Sequence, residues 1–157
     1  MNIPFIDLKA QYGRLKPEID AGIERVLEHG RFILGPEVGE FEAALAAHVG
    51  VAHVVSCANG TDALTLALMG ENIGPGDAVF IPGFTFTATA ETVLMVGAEP
   101  VFVDVDGENF LIDHADLERR IAAVKAAGSL TPRAVIPVDL FGLPADYSTG
   151  DRGQQPP

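Results

Sequence analysis

Apolar residues along this chain alternate between two kinds of run: short bulky stretches of about five residues, and longer ones in which they recur every third or fourth position. From Arg14 to Glu28, Leu15, Ile19, Ile23, Val26 and Leu27 share one helical face, with Pro17 near the start and Gly30 as the stop, which predicts a surface helix. A second helix is predicted from Pro36, after Gly35, to Val49, with Val38, Phe41, Leu45 and Val49 inward and Gly50 as its cap. The apolar loop between them, residues 31–35, reads equally as a core plug or as a pocket wall. Residues 1–13 show no clear period, and Ile3, Phe5, Ile6 and Leu8 suggest an apolar arm lying on another surface.

The stretch His53 to Met69 passes from a β-like apolar run through a small polar turn into a helical run. Val54 and Val55 suit a buried strand, Ala58, Asn59 and Gly60 form the turn, and a helix is predicted from Thr61 with Leu64, Leu66 and Leu68. A phosphate fits such a junction, because the first turn of a helix offers unpaired N–H groups and the positive end of the macrodipole. An Asn or Thr ahead of a helix also serves as a plain N-cap, with Asp62 complementing the dipole, and taken alone the stretch favours that use.

Beyond it the alternation is regular. Gly74 to Asp77 forms a turn, Ala78 to Pro82 a strand, Ala88 to Val96 a helix and Pro100 to Val105 a strand. Asp113 caps a helix running to Ala127, and Ala134 to Val138 forms a further strand. Strands and helices at this spacing predict βαβ crossovers, giving an α/β fold with a largely parallel sheet between helices, a three-layer α/β/α arrangement. In such sheets ligands bind outside the carboxyl ends of the strands, where the loops 58–62, 83–87 and 139–142 are expected to converge.

Composition narrows the partners. A formal net charge of −12, with ten Lys and Arg against 22 acids, argues against nucleic acid or an anionic membrane. The single Cys57 forms no internal disulfide and is read as a small buried hydrophobe. No signal-like start or membrane-length apolar run is present, which points to the cytoplasm. The chain has no Walker A run, GxGxxG or GxSxG. His29, His48, His53 and His114 lack ligand spacing, so no metal site is expected, and Asp104 and Asp106 read as a solvated strand end. Residues 1–147 read as the folded part. The tail STGDRGQQPP, 148–157, has no apolar residue except Pro and is expected to be disordered.

Several segments together resemble the DegT/DnrJ/EryC1/StrS family of pyridoxal-phosphate-dependent nucleotide-sugar aminotransferases. They are FIDLKAQY at 5–12, FILGPEVGEFE at 32–42, CANGTDAL at 57–64, PGDAVFIPGFTFTATAE at 75–91, EPVFVDVD at 99–106 and AVIPVDLFGLPAD at 134–146. Within the family, FIDLKAQY and PVDLFG look most like enzymes that aminate UDP-2-acetamido-2-deoxy-3-oxo-glucuronate for surface polysaccharide. The resemblance implies part of the large domain of a fold-type I transferase, with pyridoxal 5′-phosphate as cofactor. It further implies glutamate as amino donor, a keto nucleotide sugar as acceptor and a homodimer at full length. Carried over by position, it assigns Gly60, Thr61 and Asp62 to the cofactor phosphate, with the Asp62 carboxylate turned away, and Phe86 to stacking on the pyridine ring. Ile33 and Gly35 match a segment near the substrate, and Asp139 stands where many members have histidine.

The lysine that forms the Schiff base and the aspartate that holds the pyridine nitrogen protonated match no position of this chain. Lys9, Lys16 and Lys125 lie in an arm or on helices, outside any matching motif. The reading that follows is a truncated or frame-shifted gene with a read-through tail, inactive alone. A non-catalytic phosphate-binding α/β fragment and part of a cofactor-dependent sugar dehydratase are the other readings.

Overall fold

A computed structural model describes residues 5–147 of the 157-residue chain, so the expectation of disorder at 148–157 lies outside the described residues. The chain divides into two compact units, Met1–Ser56 and Cys57–Pro157.

The first unit holds α1 (Leu8–His29) and α2 (Pro36–Val49). Helix α1 starts well before the predicted Arg14, because the Asp7 carboxylate accepts the Ala10 N–H at 2.9 Å and caps the first turn. Pro17 therefore lies inside the helix and not near its start. Both helices close on left-handed glycines, Gly30 and Gly50, as the pattern requires. His29 links the two, its Nε2 lying 3.1 Å from Glu37 while its Nδ1 accepts the Arg31 N–H. The predicted inward faces are not covered: no described residue up to Ser56 is buried, and Leu15, Ile23, Leu27, Phe41 and Val49 are exposed. Two helices alone cannot bury an apolar stripe on each; that takes another layer.

The second unit is built on β1 (Asp77–Pro82), the middle strand of a parallel three-stranded sheet of order β2-β1-β3, with β2 Glu99–Val103 and β3 Thr131–Val135. Residues 78–81 of β1 are at most 1% exposed, which identifies a strand covered on both faces. On one face Val79 and Ile81 pack with Leu68 of α3 (Gly60–Gly70), Val93 of α4 (Ala88–Met95), Ile73 and Ala98. On the other, Ala78 and Phe80 pack with Val103 and Ile112, flanked by Leu117, Ile121 and Val124 of α5 (His114–Ala127). Each such fully buried Val, Ile or Phe is worth roughly 1.5–3 kcal/mol of transfer free energy. The three layers expected from the alternation are present.

Two strands differ from the sequence reading. No strand forms at Val54–Val55, and Val55 is 82% exposed; a strand needs a ladder partner, and none lies beside it among the described residues. That segment is tied instead to α2, where Glu42 accepts both the N–H and the hydroxyl of Ser56 at 2.8 Å. Strand β3 sits three residues earlier than predicted, because Pro137 has no N–H and the ladder ends with Ile136 donating to the Phe80 carbonyl. No helix of the described residues is long and apolar enough to cross a membrane.

Asp116 closes the layer beyond β2. Its buried carboxylate accepts the Asp104 N–H at 2.7 Å, at the end of β2, and pairs with Arg119 and Arg120 of its own helix. The Asp104 N–H, and after it Arg119, hold this carboxyl below its ordinary pKa. The carboxylate therefore contributes stability above the usual carboxyl range of about pH 4 and loses it as pH falls through the lowered folded value. Asp116→Asn should destabilise the chain at neutral pH and flatten the acid limb of its urea-unfolding profile; an acid limb as steep as that of the parent would show that the latch does not titrate with folding.

Candidate functional site

Connectivity fixes which loops share an edge. Strands β1, β2 and β3 are parallel, so the segments following them, from Gly83, Asp104 and Ile136, leave from one carboxyl edge. Helix α3 leads through Ile73 into the amino end of β1, and α4 runs from the carboxyl end of β1 back to the amino end of β2. Both helices are thus antiparallel to the strands, and their first turns lie toward the carboxyl edge. The loops 58–62, 83–87 and 139–142 therefore lie on that edge.

At the start of α3, Asn59 is the cap. Its Oδ1 accepts the Asp62 N–H at 2.9 Å, and its Nδ2 donates to Asp62 Oδ2 at 3.0 Å. This pairing turns the Asp62 carboxylate onto Asn59. The Ala63 N–H goes to the Asn59 carbonyl at 3.1 Å. The N–H groups of Gly60 and Thr61, and the half-buried Thr61 hydroxyl, have no acceptor among the described residues. A Cβ built on Gly60 would meet nothing within 4 Å, so neither packing nor backbone demands glycine there. The cap and the anion site are not alternatives: the cap consumes the third N–H and leaves the first two donors open. Cys57, read as buried, is exposed, its thiol 3.2 Å from the Asn59 carbonyl, because the strand expected to cover it does not form.

After β1, Gly83 N–H donates to the Val103 carbonyl at 2.7 Å, Thr85 Oγ1 lies 3.1 Å from Thr89 Oγ1, and the Phe86 carbonyl accepts the Thr89 N–H at 3.0 Å. Phe86 itself is 78% exposed, which excludes a core role for its ring within this chain. Asp139 holds the loop after β3 together, accepting from the Ala145 N–H at 2.8 Å and the Tyr147 hydroxyl at 2.7 Å. The Ala145 N–H first, then Tyr147, lowers the Asp139 carboxyl, while the same bond raises the Tyr147 phenol. Asp106 likewise ties its own loop, accepting from Glu108 and Asn109 N–H at 2.9 and 3.0 Å.

Ile33 and Gly35 belong to the other unit. Ile33 is 87% exposed, so the loop 31–35 is no core plug there, and the loop is tight: Leu34 has φ 49°, and a Cβ on Gly35 would come within 2.5 Å of the Arg31 carbonyl. The sequence reading missed a set of rings. Phe84, Phe110 and Phe141 come from the loops after the three strands, with Phe84 and Phe110 centroids 5.6 Å apart and Phe110 and Phe141 6.0 Å apart. Phe110 and Phe141 both have left-handed φ, 63° and 57°, at a cost on the order of 1–2 kcal/mol each. At least one phenylalanine in each of the three loops was the visible signal.

A model of the DegT/DnrJ/EryC1/StrS aminotransferase family matches residues 14–151. The chain is 52% identical over 147 residues to UDP-2-acetamido-2-deoxy-3-oxo-D-glucuronate aminotransferase of Pseudomonas aeruginosa, covering 92% of itself and 38% of that protein. It is 51% identical over 144 residues to UDP-N-acetyl-3-dehydro-alpha-D-glucosamine 3-aminotransferase of Acidithiobacillus ferrooxidans, again over 92% of itself and 37% of the relative. Its fold matches the crystal structure of a DegT DnrJ EryC1 StrS aminotransferase from Brucella abortus with a TM-score of 0.89 and 56% identity, over 94% of this chain and 39% of that one. NtdA of Bacillus subtilis, solved with bound cofactor PMP, matches with a TM-score of 0.79 and 29% identity, over 92% and 32%. The chain thus spans less than two fifths of the length of these relatives. It belongs to the DegT/DnrJ/EryC1/StrS aminotransferase family.

Proposed function

We propose that the second unit is the phosphate-and-ring half of a pyridoxal 5′-phosphate site, in a protein whose whole length transfers an amino group to a keto nucleotide sugar. The observation that carries this is the start of α3: two N–H donors and a threonine hydroxyl are left open beside a cap already satisfied by Asn59. Gly60 and Thr61 would hold the phosphate, charge-assisted by the helix terminus, and Phe86 would cover one face of the pyridine ring and keep water from it. The cofactor, when bound, supplies the electron sink for moving the amino group. Asp62 takes no part beyond the cap, since its carboxylate is turned onto Asn59.

The likeness to the Pseudomonas enzyme supports a UDP-linked 3-keto sugar acid as acceptor; glutamate as donor and a place in surface-polysaccharide synthesis in the cytoplasm are proposed on the resemblance of the sequence motifs alone. Transfer needs a lysine at the ring. Residues 57–147 contain only Lys125, in the last turn of α5, which leads to the amino end of β3 and so away from the carboxyl edge. We therefore read the chain by itself as able to hold the cofactor but not to turn over. The bare apolar faces of α1 and α2 favour a second subunit or the rest of a longer chain against them, in line with a homodimer.

Calorimetric titration with pyridoxamine 5′-phosphate, which needs no lysine, tests the site. Thr61→Ala removes a hydroxyl donor to a charged phosphate, roughly 1.5–3 kcal/mol, so affinity should fall by about one to two orders of magnitude. Phe86→Ala should weaken binding by about 0.5–1.5 kcal/mol while leaving the melting temperature of the free chain unchanged, unlike the roughly 3–5 kcal/mol lost with a core Phe. Unaltered affinity in both variants would reduce the start of α3 to a capped helix and refute the reading.

A further inference from the structure

The proposed site uses Phe86 but leaves the neighbouring rings without a task. Phe86 is 78% exposed and has no ring partner among the described residues, so its placement depends on the backbone of 83–87. That backbone is held at Gly83 by the Val103 carbonyl and from Thr85 onward by the first turn of α4. Between these points the Phe84 ring packs against Phe110, tilted 50° with centroids 5.6 Å apart.

Phe110 is well placed to restrain Phe84. It ends a turn that carries its own hydrogen bonds: its N–H donates to the Asp106 carbonyl at 2.9 Å, Asp106 N–H donates to the Leu111 carbonyl at 2.8 Å, and Asn109 Oδ1 accepts the Leu111 N–H at 2.8 Å. The turn is anchored below by the antiparallel bridge between Val105 and the buried Ile112. Phe110 has a left-handed φ, and its ring pairs with both Phe84 and Phe141, the latter meeting it edge-on at 90°. A bulky residue keeps such a backbone only where its surroundings over-determine it.

We propose that Phe110 is a positioning residue: by clamping Phe84 it fixes the segment 83–87, and with it the plane that Phe86 offers to a flat pyridine ring. This rests on the reading of Phe86 as the stacking residue. A packing role alone would make Phe110→Ala lower the melting temperature and leave segment 83–87 as ordered as before.

The test is ¹⁵N relaxation of the amides of Phe84, Thr85, Phe86 and Thr87 in the 157-residue chain, comparing the parent, Phe110→Ala and Phe110→Tyr. The expected result is lower order parameters at these four amides in Phe110→Ala, unchanged values at Gly60 and Thr61, and recovery in Phe110→Tyr. Affinity for pyridoxamine 5′-phosphate should fall severalfold in Phe110→Ala while that for inorganic phosphate stays level. Should Phe110→Ala not fold, Phe110→Leu, which keeps apolar volume but no ring face, carries the same comparison. Undiminished order at 84–87 without the ring, or no recovery with tyrosine, overturns the proposal. A parent chain that binds neither compound would refute the proposed cofactor site, while the relaxation comparison still decides whether Phe110 sets Phe86.

Discussion

The second unit depends on β1 being dry on both faces. A strand whose successive side chains are all buried needs helices above and below, and these come from connections that return to the amino edge after each parallel strand. Val79 and Ile81 draw in α3 and α4, while Ala78 and Phe80 draw in α5. Once those faces are fixed, the helices preceding and following β1 point their first turns to the carboxyl edge. The placement of the candidate site is therefore a consequence of core packing: its loops are carried to one edge by the buried residues of the sheet and its helices.

Within that frame the chemistry rests on small local terms. Asn59 satisfies one N–H of α3 and restrains Asp62, whose charge would otherwise compete with an incoming anion for the same donors. What remains open is a pair of backbone dipoles and one hydroxyl, worth little in water and more when a ring such as Phe86 limits solvent. Carboxylates elsewhere on the edge are committed to their own loops, Asp106 to Glu108 and Asn109, and Asp139 to Ala145 and Tyr147. Asp106 and Asp139 are thus occupied within their own loops although the chain as a whole carries a formal net charge of −12.

Periodicity and punctuation located much of this. Helix α2 begins at Pro36 and ends at Val49 as the glycines around it foretell, and Asp113 caps α5 through the N–H groups of Ala115 and Asp116. Elements whose limits depend on partners were harder to read. Val54 and Val55 have strand composition but no strand to pair with among the described residues, and Cys57 after them is exposed. The stripe of α1 is legible as amphipathic, yet sequence does not say what covers it, and Asp7 was overlooked because the arm before Arg14 lacks a period. In the candidate site, Thr61 and Phe86 are proposed through resemblance and loop position. The linkage of Phe84, Phe110 and Phe141 was not legible, since contacts between loops distant in sequence leave no mark on local pattern.

In the proposed site a phosphate and a flat ring bind together at the carboxyl edge of this sheet. The most direct measurement is amide shift mapping of the labelled chain during titration with inorganic phosphate and, separately, with pyridoxamine 5′-phosphate. Saturable shifts are expected at Gly60 and Thr61 with both compounds and at Phe86 with the second alone. Shifts centred on the exposed Arg119 and Arg120 of α5, or none at Gly60 and Thr61, would contradict it.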